Sequence, residues 1–166
     1  IFWVLGGFGF ACLAAARLRL AETHDRATAR PLRAARILAD YLRLLTSRYY
    51  MGYALTGGLS LAGMFAYIAG SPFLFIELNG VAPERFGWIF GANALGFVIA
   101  AQVNARVVGR LGLHRTARAA VAIEAAAMLV FLVVAIADFG GLAGLWLPLF
   151  GAIAALGFLL PNTTAL

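Results

Sequence analysis

Residues 49–110 read YYMGYALTGGLSLAGMFAYIAGSPFLFIELNGVAPERFGWIFGANALGFVIAAQVNARVVGR. From Tyr49 to Ile76 there is no charged residue over 28 positions, and from Phe86 to Ala105 none over 20. Between them Glu77, Glu84 and Arg85 bracket the turn Asn79-Gly80-Val81-Ala82-Pro83. A helix rises about 1.5 Å per residue, so ~20 apolar residues cross a ~30 Å hydrocarbon layer. Backbone polar groups must pair internally in lipid, which selects helix over strand. The stretch therefore predicts a hairpin of two membrane-spanning helices closed by a short turn.

The first of these helices has two unlike faces. At helical periodicity Tyr53, Thr56, Ser60, Met64, Tyr67 and Ser71 fall within about 80° of one another. Roughly opposite lie Gly58, Ala62, Ala66 and Gly70, each four residues on from the last. Small residues at that spacing let another helix approach closely. The first face is expected to line a cavity and the second to pack. The alternative is that the hydroxyls bond their own backbone and the aromatics are bundle core.

Composition agrees with a membrane protein. Of 166 residues, 63% are apolar, and the mean hydropathy is +0.92, far above a soluble domain. All 13 basic residues are Arg, against seven acids. They sit between apolar runs, so the basic balance is assigned to membrane topology and no nucleic-acid partner is implied. The single cysteine, Cys12, permits no intrachain disulfide and suggests no metal site. The chain opens at Ile1 and stops at Leu166 inside apolar runs, as expected of a piece of a longer protein.

Working outward, residues 1–16 read as the end of a truncated span. Residues 17–48 form a charged connector whose eight Arg and three acids give +5. Within it a helix opening at Pro31 would put Leu38, Tyr41, Leu42 and Leu45 on one side and Arg33, Arg36, Asp40 and Arg43 on the other. That is a basic amphipathic helix suited to a membrane surface. Residues 49–166 form a helical bundle with expected spans at 49–76, 86–105, 117–137 and 143–166, the last carrying Pro148 and Pro161. The fold class is an all-α, polytopic membrane bundle in a lipid bilayer. The connector (+5) and the loop 106–118 (+4) alternate with turns of −1 at 77–85 and at Asp138. The positive-inside rule then puts the connector and loop 106–118 in the cytoplasm.

Several strings resemble a known family. Phe65-Ala66-Tyr67-Ile68-Ala69-Gly70-Ser71-Pro72-Phe73, Phe86-Gly87 and Phe90-Gly91-Ala92-Asn93-Ala94-Leu95-Gly96 look like the Bcr/CflA drug-resistance exporters of the major facilitator superfamily. Glu22-Thr23 and Pro161-Asn162 fit the same family. The resemblance covers essentially the whole chain, as about the sixth to tenth of twelve spans. It departs at Ala82, where the family has a hydroxyl residue, which leaves the following helix without a side-chain N-cap. Gly109, Arg110, Gly112 and Arg115 are similar to the degenerate second copy of the superfamily's Gly/Arg/Asp loop motif, without its Asp, and the resemblance makes Arg106, Gly109, Arg110 and Arg115 candidates for gating. The resemblance implies a proton-coupled exporter of drug-like molecules in the bacterial inner membrane, completed by an N-terminal six-helix half. It implies no cofactor beyond the proton gradient.

Polar residues within spans are the remaining site candidates. Glu124 stands about seven residues, ~10 Å, into its span. It is either a protonatable acid facing the cavity or the partner of Arg118 or Arg106. Asn93 is placed to hydrogen-bond a ligand or a neighbouring helix, and Gln102 to join helices. A carrier of some other metabolite fits the same pattern. A membrane enzyme would need His, Cys or paired Asp inside spans, where only Cys12 and Glu124 stand. A structural subunit would need no polar face at all.

Overall fold

The structure is a computed structural model and describes residues 2–20 and 34–165. Among the described residues every regular element is a helix. They are α1 (Phe2–Arg19), α2 (Ala34–Thr46), α3 (Arg48–Pro72, continued by a π-helical segment Phe73–Leu78), α4 (Pro83–Leu111), α5 (Leu113–Ala137) and α6 (Gly141–Thr164). All but α2 are long and apolar enough to cross a membrane, so the chain is a multi-pass membrane protein. It forms two compact units, Ile1–Tyr41 and Leu42–Leu166.

In the first unit α1 is an apolar helix that ends on Arg17 and Arg19. α2 begins in the first unit and ends in the second, within the stretch expected to hold an amphipathic connector helix, and its Leu38, Tyr41, Leu42 and Leu45 are all exposed. The expected opening at Pro31, Arg33 on its polar side, and the Glu22-Thr23 pair lie outside the described residues. Ser47 alone separates α2 from α3, and its hydroxyl accepts a hydrogen bond from the Tyr50 N–H at 3.3 Å, capping α3.

In the second unit the helices outrun the apolar segments. The stretch expected as a loop, 106–118, is helical except at Gly112. Arginine is a good helix former, and a charged helix end is free to project past the hydrocarbon. The break needs one residue with positive φ, and Gly112 supplies it at φ 80°. Its carbonyl accepts from the Thr116 hydroxyl at 2.9 Å.

Pro72 lacks an N–H, so the Ile68 carbonyl loses its helical partner. The Ser71 hydroxyl turns toward that oxygen at 3.5 Å, and the backbone widens into the π segment that follows. Beyond it, Asn79 Nδ2 donates to the Leu74 carbonyl at 2.7 Å. The Val81 N–H donates to the Phe75 carbonyl at 2.9 Å. These bonds satisfy carbonyls that an ending helix leaves open. As the sequence indicated, α4 opens at Pro83 with Ala82 giving no side-chain cap. Glu84 in its first turn favours the positive end of the helix dipole instead.

The hub is α6. It packs against α3, α4 and α5 and carries eight buried residues, against one on α3. One core joins Ile153, Leu156 and Leu159 of α6 to Ala117 and Ala120 of α5. Another joins Leu149 to Phe75 and Val81. The closest approach is at Gly157, where a Cβ would meet the Phe97 carbonyl and, at 2.9 Å, the Ala100 Cβ of α4. A side chain there would push the two backbones apart.

Candidate functional site

Because α3 and α5 both lean on α6, a groove is left between them with α6 as its floor. It holds a cavity of about 720 Å³. From α3 the wall includes Thr56, Ser60, Met64, Tyr67 and Ser71; from α5, Glu124, Met128 and Phe131; from α6, Leu149, Ile153 and Leu156. A second opening of about 640 Å³ runs from Arg48 and Tyr49 along Tyr53 to Thr56, beside Arg118 of α5. Thr56, Val121 and Ala125 border both.

The six aligned positions of α3 do different things. Ser60 crosses the groove, its hydroxyl donating to Glu124 Oε2 at 2.8 Å. Thr56 turns back on its own helix and donates to the Gly52 carbonyl at 2.7 Å. Ser71 does the same toward Ile68, so for these two the backbone-bonding alternative holds. Tyr53 borders only the second opening. Its hydroxyl lies 2.9 Å from His114 Nδ1, and the Tyr49 hydroxyl lies 2.8 Å from His114 Nε2. Tyr53, Met64 and Tyr67 also pack on the core shared by α5 and α6.

Asn93 stands behind the wall. It is 1% exposed, donates from Nδ2 to the Tyr67 hydroxyl at 2.8 Å and accepts from Trp146 Nε1 at 2.9 Å. With the Phe90 ring stacked on Tyr67 at 5.7 Å, it fixes the phenol at the groove's edge. Of the two uses open to it, Asn93 has the neighbouring helices. A buried amide pair, Asn104 and Asn162, joins α4 to α6, with Asn162 Nδ2 donating to Asn104 Oδ1 at 2.9 Å.

Four expectations are corrected. The partner of Glu124 is the Ser60 hydroxyl, not Arg118 or Arg106. The small-residue face of α3 has no helix against it among the described residues. Gly58, Ala62, Ala66 and Gly70 are exposed, and Ala66 and Gly70 border the cavity. The seam with α6 instead takes the larger apolar side chains, which bury more area, and meets α3 closely at Gly57, opposite Thr163. Arg106, Gly109, Arg110 and Arg115 are all exposed, lying on the ends of α4 and α5 rather than in a loop. Gln102 is exposed too, at no helix junction of the described residues.

Nothing local in the sequence marks Met128 and Phe131 as bordering the groove or Trp146 as the donor to Asn93. His114, within the stretch 106–118 expected as a loop, is in the first turn of α5. Among the described residues no His, Cys, Asp and Glu cluster could hold a metal.

Comparison with known proteins points the same way as the sequence strings. The chain is 32% identical over all of its length to an uncharacterized MFS-type transporter, YdgK, of Bacillus subtilis, spanning 41% of that protein. It is thus similar, along its whole length, to a transporter of the major facilitator superfamily. The chain is also 28% identical over 84% of its length to a bicyclomycin resistance protein homolog of Haemophilus influenzae, covering 35% of it. With the multidrug resistance protein MdtM of Escherichia coli it shares 27% identity over 61% of its length, covering 26% of that protein. It thus spans less than half the length of the curated relatives it matches. No family model matches it, and no solved structure does.

Proposed function

We propose that this chain is part of a proton-driven multidrug exporter of the bacterial inner membrane, and that the groove between α3 and α5 forms part of its drug-binding cavity. The observation that carries the reading is the groove itself. A drug site has a few hundred Å³ of mostly apolar wall with a small number of placed polar groups. Here a cavity of about 720 Å³ combines aliphatic, aromatic and thioether side chains with Ser60, Tyr67 and Glu124. Methionines adapt to varied ligands and phenols offer a flat face with one hydrogen bond. The names of the Haemophilus and Escherichia relatives, resistance proteins both, support the direction of transport.

In this reading a six-helix N-terminal half completes the site, and the two halves rock about it. The basic ends of α4 and α5 around Gly112 face the cytoplasm, where Arg106, Gly109, Arg110 and Arg115 act in gating. The deciding experiment is a susceptibility panel on an efflux-deficient bacterium expressing the full-length gene. Raised resistance to several unrelated drugs, abolished by a protonophore, is expected. No change for any drug would overturn the reading. Cysteines placed at Asn79 and Asp138 in a Cys12→Ser background should react with an impermeant thiol reagent from outside the cell, and one at His114 should not. The reverse pattern would invert the topology.

A further inference from the structure

We propose that the second opening, between the basic ends of α3 and α5, is a site for an anionic phospholipid, with Arg48 and Arg118 receiving its phosphate and the slot below them taking part of an acyl chain. The site does not depend on what the protein transports.

The opening of about 640 Å³ is bordered by two guanidiniums, Arg48 at the start of α3 and Arg118 on α5, and by no carboxylate. Glu124, the acid of α5, borders the larger cavity instead, where the Ser60 hydroxyl donates to it at 2.8 Å. Arg48 and Arg118 are both exposed, so their charge stands at the mouth. Two like charges on one rim repel, and a phosphate received between them replaces that repulsion with charge-assisted hydrogen bonds.

A brace keeps the mouth from closing. The Tyr49 hydroxyl lies 2.8 Å from His114 Nε2 and the Tyr53 hydroxyl 2.9 Å from His114 Nδ1. The two phenol rings meet edge to face at 5.1 Å. The cluster ties the first turn of α5 to the start of α3 at side-chain length. Tyrosines also suit this depth, the headgroup layer at a helix end.

Below the rim the wall turns apolar, through Val121, Ala122, Ala125 and Leu159 down to Thr56. The Thr56 hydroxyl is taken by its own backbone, the Gly52 carbonyl, at 2.7 Å. Arg48 and Thr56 are eight residues apart, ~12 Å along the helix. Leu55 and Ile123, next in sequence to the lining residues Thr56 and Ala122, are exposed apolar side chains, so a chain can enter sideways from the bilayer. A free phosphate would use the rim alone and leave the slot empty of apolar contact. A zwitterionic headgroup brings an ammonium toward two guanidiniums, whereas phosphatidylglycerol brings net negative charge. Basic pockets between membrane helices select anionic headgroups on these grounds.

The test is native mass spectrometry of the purified full-length protein in mild detergent, titrated with dioleoyl phosphatidylglycerol or dioleoyl phosphatidylethanolamine. Wild type should bind phosphatidylglycerol about tenfold more tightly than phosphatidylethanolamine. Arg48→Gln together with Arg118→Gln should abolish that preference. Arg43→Gln together with Arg85→Gln, which removes two exposed arginines outside the opening, should leave it unchanged. Phosphatidylglycerol with a photoactivatable acyl chain should label α5 between Val121 and Ala125 in the wild type, a measurement that needs no variant to fold. Glycerol phosphate, the headgroup without chains, should not reduce that labelling. A preference kept by the Arg48/Arg118 variant, or labelling confined to other segments, would overturn the site. Displacement of the lipid by glycerol phosphate would overturn it too, and show a soluble phosphate as the ligand.

Discussion

α3 and α6 are membrane helices of 25 and 24 residues in one compact unit, yet they are used in opposite ways. α6 is buried along one side by all its neighbours, and its contacts are made by Ala, Gly, Leu and Ile with a single buried amide, Asn162. α3 buries only Ser71 and turns a polar stripe toward a groove. Without water between helices, apolar content alone does not choose which helix becomes the hub. Shape does: Gly157 lets α6 sit against the backbone of α4, while Tyr53, Met64 and Tyr67 hold α3 off at side-chain length. The space so kept open is the candidate site.

The largest expected effect tests that difference in shape. Gly157→Leu should remove most folded full-length protein, judged by size-exclusion of a fluorescent fusion at equal transcript level. Overpacking costs roughly 1–3 kcal/mol even where side chains can move, and here the obstacle is backbone. Gly58→Leu on α3, where nothing lies within 4 Å of an added Cβ, should leave that peak within about twofold. Equal losses would mean that the small-residue face of α3 is packed as tightly as α6.

The next effect concerns the buried amides. Asn162→Ala leaves Asn104, 4% exposed, without its partner. An orphaned buried polar group costs about 1–3 kcal/mol, although interhelical bonds in membranes average nearer ~0.6 kcal/mol. A drop of several degrees in the melting temperature of the detergent-solubilised protein is expected. Replacing both Asn104 and Asn162 by Leu should recover part of it. A double variant worse than Asn162→Ala would show that the pair does more than satisfy itself.

On α3 the effects should be smaller in stability and larger in selectivity. Tyr67→Phe removes the hydroxyl bound by Asn93, about 1 kcal/mol, and frees the ring at the groove's edge. Relative resistance among drugs should change while protein level stays near normal. The smallest effect is expected at Thr56→Val, since that hydroxyl serves its own backbone. Stability should stay within about 0.5 kcal/mol, and a large shift in drug profile there would show that Thr56 faces substrate after all.

Much of this was legible before any coordinates. Uncharged runs long enough to span a bilayer marked the helices from Tyr49 onward, because lipid leaves the backbone no other way to pair. The polar stripe of α3 followed from helical periodicity, and five of its six members border the cavity. What could not be read was the partner of each polar group. Glu124 lay beside Arg118 on paper, but the two are six residues apart on one helix, and the nearer hydroxyl came from a helix 64 positions away in sequence. Asn104 and Asn162 gave no local sign of pairing for the same reason. The charged stretch 106–118 reads as a loop because charge stops a membrane span, yet charge marks only where a helix leaves the hydrocarbon and not where it ends.

By itself, then, the sequence determined that this protein is a membrane helical bundle, roughly where each helix lies and which face of α3 is polar. Those follow from hydropathy and period, which act along the chain. The tertiary structure alone decided that α6 is the hub, that α3 and α5 stand apart, and that Ser60 rather than an arginine meets Glu124. Each of these depends on which surfaces fit closely in three dimensions. In lipid, where every candidate helix face is about equally apolar, that fit is set by side-chain volume and a few interhelical hydrogen bonds rather than by any pattern along the chain.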